Sequence, residues 1–177
     1  MNIRFSFLAV AALLPATLAL VRAEAQPAAP RFSGSALTAP PRDGWPTNGG
    51  DWYNRRYSPL DEISRENVAD LKGVWRARLN GSGLGPQYSG ESQPLFYDGV
   101  LFVSTGANDV FAIDVESGEF VWVYEAKLDP NISTVCCGWT NRGVALGEGK
   151  VYMGQLDGRL VALDQRTGAA RGSRRSH

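Results

Sequence analysis

The chain has 177 residues, 44% of them hydrophobic, and 18 basic residues against 18 acidic ones, a globular composition and not a disordered one. A formal net charge of zero argues against a nucleic-acid partner, which would need a basic face to neutralise phosphates. The single histidine, His177, makes a histidine metal centre or a Ser-His-Asp triad a poor fit, and no CxxCH haem attachment occurs.

Residues 1–25 read as an export signal, not as fold. Arg4 supplies the positive start, residues 5–21 are apolar apart from Ser6, Pro15 and Thr17, and Ala23-Glu24-Ala25 offers a small-residue cleavage site. A membrane anchor is the alternative, disfavoured by Pro15 and by a stretch at the short end for spanning. Export points to the periplasm, where disulfides persist. Residues 26–44 turn to Pro, Ala, Ser and Gly and are expected to be an extended, weakly ordered lead-in.

The folded part is expected over 45–168. A short helical turn is predicted over 64–71, capped by Ser64 with Glu66 near its positive end. Short runs rich in β-branched and aromatic residues predict strands over 74–79, 94–97, 100–104, 110–113, 120–124, 143–146, 151–154 and 160–163. Asp98-Gly99, Ser117-Gly118, Gly147-Glu148-Gly149, Asp157-Gly158 and Thr167-Gly168 punctuate them as turns. A gapless shift of 50 residues lays Leu101-Phe102-Val103 on Val151-Tyr152-Met153 and Val110–Asp114 on Leu160-Val161-Ala162-Leu163-Asp164. Units of about 40 to 50 residues with four strands each are the mark of propeller blades, which must stack to bury both faces. The fold class is therefore all-β, a partial propeller of about two to three four-stranded blades.

Two motifs carry a family resemblance. Ala112-Ile113-Asp114-Val115-Glu116-Ser117-Gly118-Glu119-Phe120-Val121-Trp122 is similar to the A-x-D-x-x-[TS]-G-x-x-x-W docking motif of eight-bladed dehydrogenases that use pyrroloquinoline quinone (PQQ). Ser-Gly makes the turn, Asp accepts backbone hydrogen bonds there, and Trp offers an apolar plate to the next blade; any propeller could use such a device. Cys136-Cys137-Gly138-Trp139-Thr140-Asn141-Arg142-Gly143 is sharper and resembles the C-C-x-x-x-N-R-G segment of the methanol and ethanol dehydrogenase branch. Taken alone, adjacent cysteines could also be buried thiols or an inter-chain link, and a bond between them would close no useful loop.

The resemblance implies a vicinal disulfide between Cys136 and Cys137 that packs on the planar quinone, and an Arg142 that binds one of its carboxylates. It also implies that Glu91, just before the first inner strand, reaches the cofactor edge; a surface Arg and a solvated loop Glu are the bland alternatives. Trp45, Gly49, Tyr57, Ser58 and the Asn67-to-Trp75 run resemble a structural entry segment. The implied activity is oxidation of primary alcohols to aldehydes, with PQQ and a Ca²⁺ or lanthanide ion as cofactors and cytochrome c or a quinone as electron acceptor. The family's metal ligands, catalytic Asp and tryptophan floor match nothing up to residue 177, so the chain is expected to hold one wall of the site and to be inactive alone. A non-enzymatic envelope propeller that scaffolds outer-membrane assembly is the competing class. The resemblance breaks after 168: Gly172 stands where the second docking motif calls for Trp, and 169–177 reads as an aberrant or truncated tail without strand period.

Overall fold

The computed structural model describes residues 28–82, 87–133, 135 and 138–175. Two four-stranded antiparallel sheets follow one another along the chain. The first contains β1 (Leu95–Tyr97), β2 (Val100–Ser104), β3 (Val110–Asp114) and β4 (Phe120–Tyr124); the second contains β5 (Ala145–Gly147), β6 (Lys150–Gly154), β7 (Arg159–Asp164) and β8 (Ala170–Arg175). Each sheet is a simple meander in sequence order, as tight turns between consecutive strands require.

The repeat holds in three dimensions. Phe102 pairs with Ala112 and Tyr152 with Ala162, and both sheets carry an irregularity at the same place, between Ala112 and Ile113 and between Ala162 and Leu163. The turns repeat atom for atom. Asp114 Oδ1 accepts hydrogen bonds from the Glu116 and Ser117 amides and the Ser117 hydroxyl, and Asp164 Oδ1 accepts from the Arg166 and Thr167 amides and the Thr167 hydroxyl. Gly118 and Gly168 close these turns at φ +74° and +69°, where a Cβ would be strained.

The core lies between the sheets. Phe102, Val110 and Ala112 of the first meet Val151, Met153, Val161 and Leu163 of the second, all at most 2% exposed; each large side chain so buried stabilises the fold by about 1.5–3 kcal/mol. Trp122 closes the seam. Its indole N–H donates to the Gln165 carbonyl at 2.8 Å, and a Cβ on Gly168 would sit 2.6 Å from its ring. Trp75 treats the first sheet alike, donating to the Val115 carbonyl at 2.8 Å and lying over Gly118. Trp122, the plate expected from the docking motif, thus docks on the turn of the sheet that follows it, and Trp75 does the same one sheet earlier.

Three expectations need correction. Residues 74–79 form no ladder among the described residues, although Trp75, Ala77 and Leu79 pack at strand period on Val103, Phe111 and Ile113; the inward face is satisfied without a backbone partner. The expected helical turn shrinks to a single 3-10 turn, Val68–Asp70. Residues 170–175, expected to lack strand period, are β8: the free edge of β7 offers a backbone ladder that needs no apolar side chains, and every β8 residue is exposed. Arginines at 171, 174 and 175 suit an edge strand, where charge discourages further pairing. Gly172 pairs with Ala162 as Trp122 pairs with Ala112, so no indole projects there.

The lead-in is also more built than its composition suggests. It carries α1 (Gly34–Thr38), whose first turn is capped by the Ser33 hydroxyl accepting from the Ala36 amide. Ala29 and Pro30 accept hydrogen bonds from the β5–β6 turn through Gly149 and Glu148, and Trp45 bridges Phe96 of β1. The proposed export signal lies outside the described residues.

Candidate cofactor site

Antiparallel meanders bring the entry to each innermost strand and the exit of its second strand to the same end. At that end Glu91 stands four residues before β1 and Arg142 three residues before β5. The two entry loops run side by side: Tyr88 and Trp139 form a parallel bridge, the Ser89 amide donates to the Trp139 carbonyl at 2.8 Å, and the Gln93 amide donates to the Arg142 carbonyl at 3.2 Å. This pairing faces Glu91 towards Arg142, with Nη2 to Oε2 at 3.1 Å. The Ser89 hydroxyl donates to the other carboxylate oxygen at 3.2 Å.

Two close approaches fix the loops. A Cβ on Gly106, in the β2–β3 turn, would lie 2.6 Å from the Trp139 carbonyl oxygen and 2.9 Å from that of Ser89, so a larger residue would push the loops off the sheet. Gly143, at φ +131°, turns under the Gln93 carbonyl. Trp139 is 6% exposed, donates its indole N–H to the Ile132 carbonyl at 3.0 Å, and meets Tyr88 edge-on at 5.9 Å.

Beneath the charged pair lies a polar layer that sequence reasoning missed. Ser92 and Ser104 hydroxyls are 3.1 Å apart, Ser104 donates to Asn141 Oδ1 at 2.7 Å, and Asn141 Nδ2 donates to the Gly154 carbonyl at 3.0 Å. Asn141 lay inside the quoted Cys-Cys motif, but the link to Ser104 spans 37 residues and left no local signal. Thr105, Thr140 and Gln155 add buried polar atoms that find no hydrogen-bond partner, all at this same end. Among the described residues no group of three or more metal-ligating side chains occurs. Cys136 and Cys137 lie outside the described residues.

Residues 45–173 match the protein family described as PQQ, glucose/ethanol/alcohol dehydrogenase, beta-propeller domain. The chain belongs to the PQQ-dependent alcohol dehydrogenase family. Within it, a 1-butanol dehydrogenase (cytochrome c) of Thauera butanivorans is 43% identical over 126 residues, which are 70% of this chain and 17% of that protein. The solved quinohemoprotein alcohol dehydrogenase of Comamonas testosteroni is 38% identical with a TM-score of 0.71, over 82% of this chain and 21% of that one. A europium-containing methanol dehydrogenase is 28% identical with a TM-score of 0.67, over 76% and 23%. The chain therefore spans between 17% and 23% of the length of these relatives.

The PQQ-family residues present here suit a polyanionic quinone. Arg142 is 76% exposed, and its guanidinium meets only Glu91 among the described residues. An exposed ion pair is worth about 1 kcal/mol or less, so an incoming carboxylate can share or displace Glu91, and a planar fork binds a carboxylate in two places. Arg142 would hold the group, with Glu91 positioning its guanidinium and Cys136 and Cys137 expected beside them from the motif alone.

Proposed function

We propose that this chain supplies one wall of the PQQ pocket of a periplasmic dehydrogenase that oxidises primary alcohols to aldehydes. The observation that carries this is the exposed Arg142 guanidinium held 3.1 Å from Glu91 by parallel entry loops at one end of stacked sheets. When bound, PQQ would supply the hydride acceptor for the alcohol, with a cytochrome c or a quinone as the electron acceptor beyond it. Arg142 binds and orients a carboxylate, Glu91 sets the position of that guanidinium, and the buried loops beneath exclude water from one side. A Ca²⁺ or lanthanide ion, where bound, would supply Lewis acidity towards the quinone; among the described residues no group of three or more metal-ligating side chains offers it ligands.

Two measurements on the purified chain test this. Titration with PQQ, followed by quenching of tryptophan fluorescence, should give weak saturable binding that Arg142→Ala weakens about tenfold or more, the scale of a charge-assisted hydrogen bond. With PQQ and either Ca²⁺ or a lanthanide, dye-linked alcohol oxidation should not exceed a protein-free blank. Equal affinity in the variant would remove Arg142 from the site. Turnover lost on Arg142→Ala would show that the chain holds far more of the enzyme than one wall.

A further inference from the structure

We propose that Ser92, Ser104 and Asn141 form a partly buried clamp that sets the spacing of Glu91 and Arg142, making all three positioning residues of the pocket wall proposed above, on which the cofactor part of this inference rests. Ser92 follows Glu91 in sequence and Asn141 precedes Arg142, so the clamp grips the two charged residues through their immediate neighbours. Ser104, at the end of β2 and 2% exposed, joins them across the seam between the sheets.

Counting protons gives the clamp one direction. The Asn141 amide is oriented by two contacts: Oδ1 accepts from the Gly143 amide at 3.0 Å, and Nδ2 donates to the Gly154 carbonyl at 3.0 Å. Oδ1 must therefore also accept the Ser104 hydroxyl proton at 2.7 Å. Ser104 Oγ has then spent its only proton, so the 3.1 Å contact with Ser92 is a bond that Ser92 donates. Ser92 Oγ in turn accepts from the Ser104 amide at 3.2 Å. Each hydroxyl donates once and accepts at least once, in a partly buried setting where such chains reinforce one another. No other arrangement of these protons satisfies the same contacts.

Position within the repeat separates the clamp from ordinary sheet stitching. A plain stitch exists nearby: Asn108, fully buried, accepts the Leu156 amide at 2.6 Å and donates to the Gly106 carbonyl at 2.9 Å. It ties the two sheets without touching a neighbour of Glu91 or Arg142. The clamp instead runs through side chains of both entry loops, Ser92 in the first and Asn141 in the second, and ends on the backbone of Ser104, Gly143 and Gly154.

Hydrogen exchange on the ligand-free chain tests this directly, because the Gln93 amide bonds to the Arg142 carbonyl and the Gly143 amide to Asn141 Oδ1. Ser104→Ala and Ser92→Ala should each speed exchange at those two amides about tenfold, the cost of one lost buried hydrogen bond. Ser92→Thr, which keeps the hydroxyl, should retain wild-type protection. Asn108→Gly should lower the melting temperature without selective loss at either amide. Wild-type protection in Ser104→Ala, or an equal loss across both sheets, overturns the clamp. PQQ titration of the same variants separates the two proposals. A parallel loss of affinity supports both, whereas loosened amides with binding indifferent even to Arg142→Ala leave the clamp standing and sink the cofactor assignment.

Discussion

Removing the Trp122 indole should unpick the seam between the sheets. The side chain is 8% exposed, lies over Gly168, meets the Phe102 ring at a centroid distance of 6.0 Å, and donates to the Gln165 carbonyl. Large aromatic-to-alanine changes in cores cost about 3–5 kcal/mol, from lost transfer energy and the cavity left behind. Trp122→Phe keeps most of the apolar area and forfeits the hydrogen bond, so it should cost about 1–2 kcal/mol. Val121→Ala, on the same strand but 44% exposed, should cost under about 0.5 kcal/mol. Urea unfolding followed by circular dichroism gives all three values against wild type. At this chain length the alanine variant should melt roughly 10 °C lower. A cost under about 1 kcal/mol for Trp122→Ala, or a phenylalanine variant as damaged as the alanine one, would refute the docking account.

Acid should weaken the β7–β8 turn in a defined window. The Arg171 guanidinium beside Asp164, helped by the Thr167 hydroxyl and the Arg166 and Thr167 amides, holds its carboxyl down from 3.8 to about 2. A folded value below the unfolded one means that this stability is present above about 3.8 and is lost as pH falls through about 2. Urea midpoints over that range should fall less steeply in Asp164→Asn, which should cost about 1 kcal/mol at neutral pH once solvent screening is allowed for; an unchanged slope would deny Asp164 this role. Cys136 and Cys137 should be joined in protein taken from the periplasm, which intact-mass analysis with alkylation before and after reduction reads; two freely alkylated thiols would count decisively against the bond.

What the sequence disclosed best was whatever is fixed locally. An Asp that caps its own turn and a Gly at positive φ act within a few residues of themselves, so the Asp114–Gly118 and Asp164–Gly168 turns stood out, and the repeat between them carried the register of both sheets. The departures share a different cause. β8 forms because β7 offers it a backbone edge, and backbone pairing is blind to the Arg-rich side chains that hid it. Residues 74–79 have the alternation of a strand and bury the face it calls for, yet the ladder that would complete them depends on a partner strand, which alternation cannot report. α1 has its cap in plain view at Ser33, but five residues are too few for a periodic signal.

The site shows the same division and also why a repeat can make one. Shifted by 50 residues, Glu91 falls on Asn141 and Ser92 on Arg142, since Leu95 and Ala145 open equivalent strands. Equivalent sheets therefore place these four residues side by side, and their proximity needs no long-range coincidence. The chemistry comes from the repeat being broken at those positions: the first copy puts the charge one residue earlier than the second. Two identical copies would set like charge against like charge at this end, which is destabilising between neighbouring strands. Offset by one, the same loops set Glu91 against Arg142 and leave Ser92 and Asn141 to turn inward onto Ser104. The motif in the sequence named the charged residues; the register of the sheets explains why they face each other and what lies beneath them.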